Sequence, residues 1–223
     1  MIYKLLTLLC VSSLLFSCTD VESPIEDEKP KENTEHKFVK VRNLFWMEEN
    51  LNVSSFRNGE EIPEAKSETE WRHFMEKEEP AFCYYEFNPE YGDKYGKLYN
   101  FYVLKDERGL APEGTRLPTN SDWMDIGGYM GTSEIATMGI GFIDIWLKNN
   151  NLNGDNKFLS IPAGFHTRSG EFLNLDISAH WWQGESNTHA YGTHNSFNTD
   201  FGYVSREASK YFKDGLSVRC IKD

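Results

Sequence analysis

The 223-residue chain has few basic residues for its size. It carries 23 lysines and arginines against 35 aspartates and glutamates, which gives a formal net charge of -12 at pH 7. A surface of this sign repels nucleic acids and anionic lipid headgroups, so we exclude both as partners. Glycans or another protein are more compatible with this charge.

The chain also lacks, after Phe16, any apolar run long enough to cross a membrane. The run from Leu5 to Phe16 follows Lys4 and has the proportions of a secretory signal. Ser17 and Cys18 follow it, and the letters LFSC of residues 15–18 resemble the bacterial lipobox. We therefore predict a signal peptide over residues 1–17 and a lipid on Cys18; an ordinary signal peptide that ends near a cysteine is the alternative.

Residues 18–36 contain almost nothing that could enter a core. The segment is acidic and has two prolines, so it buries too little apolar surface to offset the entropy of ordering. We predict a disordered tether. Asp20 and Glu22, close behind the cysteine, resemble the surface-export signals of Bacteroidetes lipoproteins, so we expect a cell-surface lipoprotein of the outer membrane. A periplasm-facing anchor is the alternative.

Cysteine is scarce, with four residues in the chain. Cys10 leaves with the signal peptide and Cys18 takes the lipid, so Cys83 and Cys220 remain. In an oxidising compartment these two favour a disulfide bridge. Two buried free thiols are the alternative.

Two segments carry the signals of amphipathic helices. Ser67 and Glu70 form a capping box, as do Thr119 and Asp122. Apolar side chains follow each box at helical spacing. These are Trp71, Phe74 and Met75 in the first segment, and Trp123, Ile126 and Met130 in the second.

The rest of the domain is predicted to be rich in strands. Residues 38–51 combine aromatic and β-branched residues and indicate an opening strand, and a third helical segment is expected near 133–148. Beyond it, short apolar spans alternate with Asn, Gly, Ser and Thr. We predict one α+β domain over residues 37–223, with short helices early and a loop-rich β second half.

Motifs for hydrolysis and for metal binding are missing or incomplete. No Gly-x-Ser-x-Gly occurs. The loop from Asn149 to Ser160 has the oxygen spacing of a calcium loop, but it lacks carboxylates at the early ligand positions and ends in serine where a glutamate is needed. His180, His189 and His194 have no fourth zinc ligand at a recognisable spacing. We predict no metal and no cofactor.

The stretch FLNLDISAHWWQGESNTHAYGTH, residues 172–194, holds two adjacent tryptophans and three of the six histidines. On a strand, Trp181 and Trp182 point to opposite faces, and we expect at least one ring in the core. The polar segment after them is typical of an exposed binding loop. We predict that the tryptophans form the floor of a ligand site and that this segment forms its rim. The candidate ligand-binding residues are His180, Asn187, His189, Tyr191 and His194.

Six blocks of the chain carry, in this order, a resemblance to a known family: WMEENLNVSSFRNGEEIPEAKSETEW, PAFCYYEFNPEYGDKYGKLYNFY, RGLAPEGTRLPTNSDW, FLSIPAGF, FLNLDISAHWW and GLSVRCIKD. They resemble the Fibrobacter succinogenes major paralogous domain. That family is similar to the C-type-lectin-like fold, near the formylglycine-generating enzymes, whose RLPT…W signature is matched by residues 116–119 and Trp123.

The resemblance implies a fold and a secreted or lipid-anchored address, while no activity is established for the family as a whole. Formylglycine-generating enzymes bind copper through two cysteines in one site, and only Cys83 and Cys220 remain for that role. Related sulfoxide synthases use His-x3-His-x-Glu, whereas His189 and His194 are five residues apart. This chain also departs from the family at residues 183–186, QGES, and at residues 164–166, GFH.

From these observations we predict a surface-anchored, non-catalytic binding or adhesion lipoprotein, with glycans as a candidate ligand. A structural or assembly component that binds protein in a cell-surface complex is the first alternative. A divergent relative of the formylglycine-generating enzymes is the second.

The lipid anchor can be tested through Cys18. Because acylation at this thiol is what would hold the protein on the membrane, we expect Cys18→Ala to release it from the membrane fraction or to leave an uncleaved precursor. Fractionation and mass spectrometry of the N-terminus measure both. Normal processing with unchanged membrane retention would contradict the prediction.

Overall fold

The computed structural model describes residues 36–41, 43–127, 161–184, 191–198 and 203–222, which form short helices and short strands. No helix among these residues is both long and apolar enough to span a bilayer. The helices are α1 (Glu68–Lys77), α2 (Gly92–Tyr95), α3 (Phe101–Lys105) and α4 (Asn120–Gly127), with 3₁₀ turns at Tyr85–Phe87 and Pro89–Tyr91. The strands are β1 (Phe38–Val41), β2 (Leu44–Met47), β3 (Phe82–Cys83), β4 (Leu98–Tyr99), β5 (Thr115–Arg116), β6 (Ala163–His166), β7 (Phe172–Leu175), β8 (Ser178–Trp182), β9 (Tyr191–Asn198), β10 (Tyr203–Tyr211) and β11 (Ile221–Lys222).

Helix α1 begins at its predicted cap. The Ser67 hydroxyl accepts a hydrogen bond from the Glu70 backbone N–H at 3.3 Å, which satisfies one of the free donors of the first turn. Trp71 and Met75 lie one turn apart on the buried face. The helix ends at Glu78, which adopts the left-handed conformation at φ 58°. The prediction for this segment is confirmed.

Helix α4 also begins as predicted, at Thr119 and Asp122. One oxygen of the Asp122 carboxylate accepts from the Thr119 backbone N–H and hydroxyl, each at 2.7 Å. Both carboxylate oxygens also accept from the Arg116 guanidinium, at 2.7 and 3.0 Å. Burial opposes ionisation of this carboxyl, but the hydrogen bonds from Arg116 and Thr119 hold its pKa below the ordinary value. The Arg-Leu-Pro-Thr sequence therefore joins β5 to the start of α4.

The opening segment is a hairpin and not the single strand predicted over 38–51. Strands β1 and β2 pair in antiparallel fashion, with Val41 opposite Leu44. The polar pair Arg42-Asn43 separates two apolar runs, and such a pair favours chain reversal over a continuous strand. The prediction of a single strand was wrong because it rested on the composition of the whole segment and not on the polar pair in its middle.

Three sheets organise the domain. One has the strand order β1-β2-β11-β5, a second has β10-β9-β8-β6-β7, and β3 pairs with β4. The named strands pair in antiparallel fashion, except β6 and β8, which run parallel at Gly164 and Ala179. The α+β class and the β-rich second half are thereby confirmed. The expected third helix near 133–148 lies outside the described residues.

Residues 212–221, which we call the central segment, connect these sheets through backbone hydrogen bonds. Leu216 exchanges two hydrogen bonds with Tyr99 of β4, at 2.8 and 3.0 Å. Ser217 donates to His180 and accepts from Trp182 of β8, each at 3.1 Å. Further hydrogen bonds to the central segment come from Met47, Leu51, Phe101 and His166.

The central segment divides the core into two sides. Leu216 and Val218 pack in the same cluster as Trp182. Arg219 contacts Trp181, whose ring points the other way from β8. Because neighbouring side chains of extended backbone point to opposite faces, apolar and polar residues alternate here without a break in the backbone.

Cys83 and Cys220 are buried free thiols, so the predicted disulfide bridge is wrong. Cys83 packs with Trp71 and Tyr85, whereas Cys220 packs in a separate cluster with Leu216. Burial raises the pKa of Cys83 well above its ordinary value and that of Cys220 to about 12. An oxidising compartment favours pairing only where the fold brings two sulfur atoms together, and sequence order carries no information about that.

Thiol titration checks this result. On a soluble domain that starts at residue 37, we expect almost no reaction with a thiol reagent in the native state, because both groups are buried and protonated. Unfolding in denaturant without reductant should expose two reactive thiols. Absence of reactive thiols in the unfolded protein would show that a bridge forms after all.

Candidate functional site

Trp181 and Trp182 are both core residues. They lie on opposite faces of β8, as predicted, and both are fully buried. The Trp181 indole N–H donates to the Asn50 side-chain oxygen at 2.8 Å, and the Trp182 indole N–H donates to the Tyr99 carbonyl at 2.7 Å. Burial of both rings goes beyond the expectation that at least one would be in the core, and neither indole is open to a ligand.

Asn50 is the polar centre of the Trp181 side. Its oxygen also accepts from the Arg219 guanidinium at 3.1 Å, and its amide N–H donates to the Tyr95 carbonyl at 2.9 Å. Arg219 lies 5.0 Å from the centre of the Trp181 ring and is fully buried. Burial lowers the pKa of this guanidinium to about 9. Trp123 stacks on Trp181 at 5.6 Å, so the tryptophan of the RLPT…W pattern serves the core.

The expectation of an exposed histidine rim is wrong for His180 and His194. Their side chains are buried, at 6% and 1% exposure, and their rings stack at 5.7 Å. His194 lies inside β9, directly opposite Trp182 of β8. The polar composition predicts a loop, whereas hydrogen bonding to β8 makes residues 191–198 a strand and turns the His194 ring inward.

The structure describes only one of the other three predicted rim residues. Tyr191 begins β9, and its backbone pairs with Tyr211 of β10. Asn187 and His189 lie outside the described residues, as does the loop from Asn149 to Ser160. Within the part of the chain that the structure describes, no three His, Cys, Asp or Glu side chains converge as a metal-binding group would.

A cluster of half-buried aromatic rings is the candidate site that the sequence analysis missed. Tyr85, Phe87, Tyr91 and Phe172 form what we call the aromatic surface. Tyr85 lies 5.9 Å from Tyr91 and 5.0 Å from Phe172, and Phe87 also lies 5.0 Å from Phe172. Tyr85 is buried, while the other three rings are partly exposed. The rings are therefore held by one another and still present area to solvent.

Left-handed backbone residues surround the aromatic surface. Glu86 and Phe87 have φ of 53° and 55°, and Asn174 and Asp176 have 64° and 58°. Asparagine and aspartate adopt this conformation readily, whereas a bulky side chain such as that of Phe87 does so at a cost in free energy. Such strain concentrates at functional positions. Here it places the Phe87 ring against Phe172.

Polar groups border these rings. The Asp176 carboxylate accepts from the Tyr95 hydroxyl at 2.8 Å and from the Lys94 ammonium at 3.2 Å. The Tyr95 hydrogen bond, together with Lys94, lowers the pKa of Asp176. Tyr95 packs on Tyr91 at 5.8 Å, which places this polar group beside the rings. An aromatic face with adjacent carboxylates can pack against a ligand and hydrogen-bond its polar groups.

A sequence signal for this surface exists. Residues 80–95, PAFCYYEFNPEYGDKY, contain six phenylalanines and tyrosines and no valine, leucine or isoleucine. A core segment would mix aliphatic side chains with the rings.

His166 lies beneath the aromatic surface. Its ring is fully buried, 4.3 Å from Phe172 and 5.6 Å from Phe87. Its Nε2 lies 3.2 Å from a carboxylate oxygen of Glu68. Burial lowers the pKa of His166 to about 4, and Glu68 only partly opposes this. The imidazole is therefore neutral at neutral pH.

Comparison with protein families covers nearly all of the described domain. The family model of the Fibrobacter succinogenes major domain matches residues 39–222. This protein belongs to that family. No curated protein and no solved structure matches the chain.

As a Fibrobacter succinogenes major domain, the chain has a buried side chain in each of its two departures from the family pattern. Gln183 is fully buried, and its amide makes no hydrogen bond to another described residue. His166, in the other departure, is buried against Phe172. Gly184 is exposed, and residues 185 and 186 lie outside the described residues.

The low pKa of His166 predicts a loss of stability in acid. Between pH 6.5 and about 4, the unfolded chain binds a proton at this imidazole and the folded chain does not. The free energy of unfolding therefore falls as pH falls through this window, by up to about 3 kcal/mol from this group. Urea unfolding of wild type and His166→Asn at pH 7 and pH 4.5 measures it.

The expected result is a smaller pH effect in His166→Asn than in wild type. His73→Asn is the matched control, because His73 is exposed on α1. Equal pH effects in wild type and His166→Asn would contradict the assignment. If His166→Asn does not fold, an NMR titration of the wild-type imidazole gives the pKa directly, and a value near 6.5 would refute burial as its cause.

Proposed function

We propose that this protein is a surface-anchored, non-catalytic binding or adhesion lipoprotein that contacts glycans through the aromatic surface. The observation that carries the proposal is the set of three partly exposed rings, Phe87, Tyr91 and Phe172, which pack on one another or on Tyr85. The Asp176 carboxylate lies beside them through Tyr95. Sugar rings have apolar C–H faces that pack on aromatic rings, and their hydroxyls donate to carboxylates.

The proposed address rests on the sequence before the domain. An apolar run from Leu5 to Phe16, followed by Cys18 and an acidic segment, supports a lipid anchor ahead of the family domain. We propose display on the outer surface of the outer membrane, with the periplasm-facing anchor as the alternative. An adhesion module needs such reach, because a tethered domain samples ligands at a distance set by its linker.

A C-type-lectin-like fold is part of the proposal. Its support is the RLPT…W pattern, which here joins β5 to α4, and the loop-rich sheets of the second half. Folds of this kind place ligand sites on loops held by a rigid framework. The aromatic surface is of that kind, since residues 84–91 have no regular strand of their own.

The burial of both cysteine thiols supports a non-catalytic role. Cys83 and Cys220, the pair that copper chemistry of the formylglycine-generating type would need in one site, lie in separate core clusters. Burial keeps both thiols protonated, whereas the thiolate is the nucleophile and the metal ligand. The divergent-enzyme alternative is therefore the least supported of the three.

A protein partner is the second candidate, and one observation favours it. Leu173 and Ile177 are 39% and 45% exposed on β7 and in the turn that follows, next to Phe172. β7 is at the edge of its sheet. Exposed aliphatic side chains are more typical of protein contacts than of sugar contacts.

A glycan array with the soluble domain from residue 37 tests the proposal. We expect binding that Tyr91→Ala weakens roughly tenfold, because the variant loses the buried area of the ring and about 0.5 to 1.5 kcal/mol of aromatic contact beyond it. The matched control is Tyr102→Ala. Tyr102 is also half-buried, but it packs on Phe212 outside the aromatic surface.

Two results would overturn the glycan assignment. One is an array without a binder, and the other is an equal loss in Tyr91→Ala and Tyr102→Ala. Thermal melts of both variants show whether a loss of binding is a loss of folding. If glycans fail, Leu173→Ser and Ile177→Ser test the protein alternative in a pull-down from cell-surface extract, where loss of one defined band would support it.

A further inference from the structure

We infer that the aromatic surface discriminates by charge, and that it takes neutral or amino sugars and rejects glycans that carry carboxylates or sulfates. This inference rests on the proposed glycan function and adds the class of sugar. It is drawn from the charges that lie between and beside the rings.

Carboxylates are interleaved with the rings along the chain. Glu86 lies between Tyr85 and Phe87, and its charge contributes to the raised pKa of Tyr85, whose main cause is burial. Glu90 precedes Tyr91. Asp93 follows in α2, and the side chains of all three acidic residues are exposed.

Positive charge at the same place is already neutralised. Lys94 is the basic residue within the run 80–95, and its ammonium pairs with the Asp176 carboxylate at 3.2 Å. Arg72 of α1 lies near Glu68 at 3.2 Å, so it is also matched by an acid. The charges of Lys94 and Asp176 cancel. Glu86, Glu90 and Asp93 are three exposed acidic residues of the run 80–95, and no further basic side chain of that run offsets them.

The negative charge of these three carboxylates acts on any ligand bound to the rings. Glu86, Glu90 and Asp93 together are called the acidic rim. The screening length at physiological salt is about 8 Å, which is comparable to the ring spacings of this surface, so the field of the acidic rim reaches the ligand. A uronate carboxylate or a sulfate ester would leave part of its hydration and meet like charge. A neutral sugar has no net charge, so this field does not change its affinity.

Two interactions favour an ammonium group on the ligand. The acidic rim attracts it, and aromatic faces attract cations through the ring quadrupole. The protein contains a precedent beside the surface, since the Lys94 ammonium lies 4.4 Å from the centre of the Tyr95 ring. A protonated amino sugar would therefore bind at least as well as its neutral counterpart.

The experiment compares three oligosaccharides of equal length by calorimetry. Oligomers of N-acetylglucosamine are neutral, oligomers of glucosamine are cationic, and oligomers of galacturonic acid are anionic. We expect the anionic oligomer to bind at least tenfold more weakly than the neutral one, and the cationic oligomer to bind at least as tightly. Raising the salt concentration should narrow both differences, because exposed charges are screened.

A variant of the acidic rim supplies the second arm. The triple variant Glu86→Gln, Glu90→Gln and Asp93→Asn should raise the affinity for the anionic oligomer severalfold, lower that for the cationic one, and leave the neutral one within twofold. A triple variant of Glu76, Glu107 and Glu113 to Gln removes the same charge from exposed positions outside the surface. This control should leave all three affinities unchanged.

Each failure has a different meaning. If none of the oligomers binds and the array is also empty, the proposed function fails and the inference fails with it. If the anionic oligomer binds as tightly as the neutral one, the charge inference is overturned while the glycan function stands. If the variant of the acidic rim weakens all three oligomers equally, the acidic side chains contact the sugar directly and do not select by charge.

Discussion

The fold depends on the hydrogen bonding of one extended stretch near the carboxyl end. The central segment has its backbone groups bonded to β2, β4, β6 and β8, so it joins strands of three different sheets. Buried backbone groups must find partners, and a stretch with so many cannot shift its register without leaving several of them unsatisfied. The strict alternation of its side chains then decides which residues form the apolar cluster around Trp182 and which face Asn50 and Trp181.

This arrangement explains why the most chemically suggestive side chains are closed to solvent. The double tryptophan, His180, His194 and Cys220 pack on or beside the central segment and β8, and Cys83 is buried in a separate cluster. Tryptophan, histidine and cysteine often stack on ligands or bind metals, but here these side chains fill the core and fix its packing. The exposed chemistry lies instead on the irregular chain around residues 84–95, where left-handed residues hold phenylalanine and tyrosine rings at the surface.

Local features were predictable, and long-range features were not. The caps at Ser67 and Thr119 each involve residues a few positions apart, so their helices could be predicted from sequence. The β-rich second half was also predictable from composition. The hairpin at the start, the separation of Cys83 from Cys220 and the burial of His194 each depend on which distant strand a segment meets, and no local pattern contains that information.

The amino-acid sequence by itself determined the acidic charge, the two capped helices, the opposite orientation of Trp181 and Trp182, and the family to which the chain belongs. These follow from residue type and from spacings within one turn or one strand. Tertiary structure alone decided which faces became interior. The strands on either side of β8 bury His180 and His194. The turns at Glu86 and Asp176 leave the rings of the aromatic surface partly exposed. Exposure is a property of the whole assembled chain, because a side chain is buried only when some distant segment covers it.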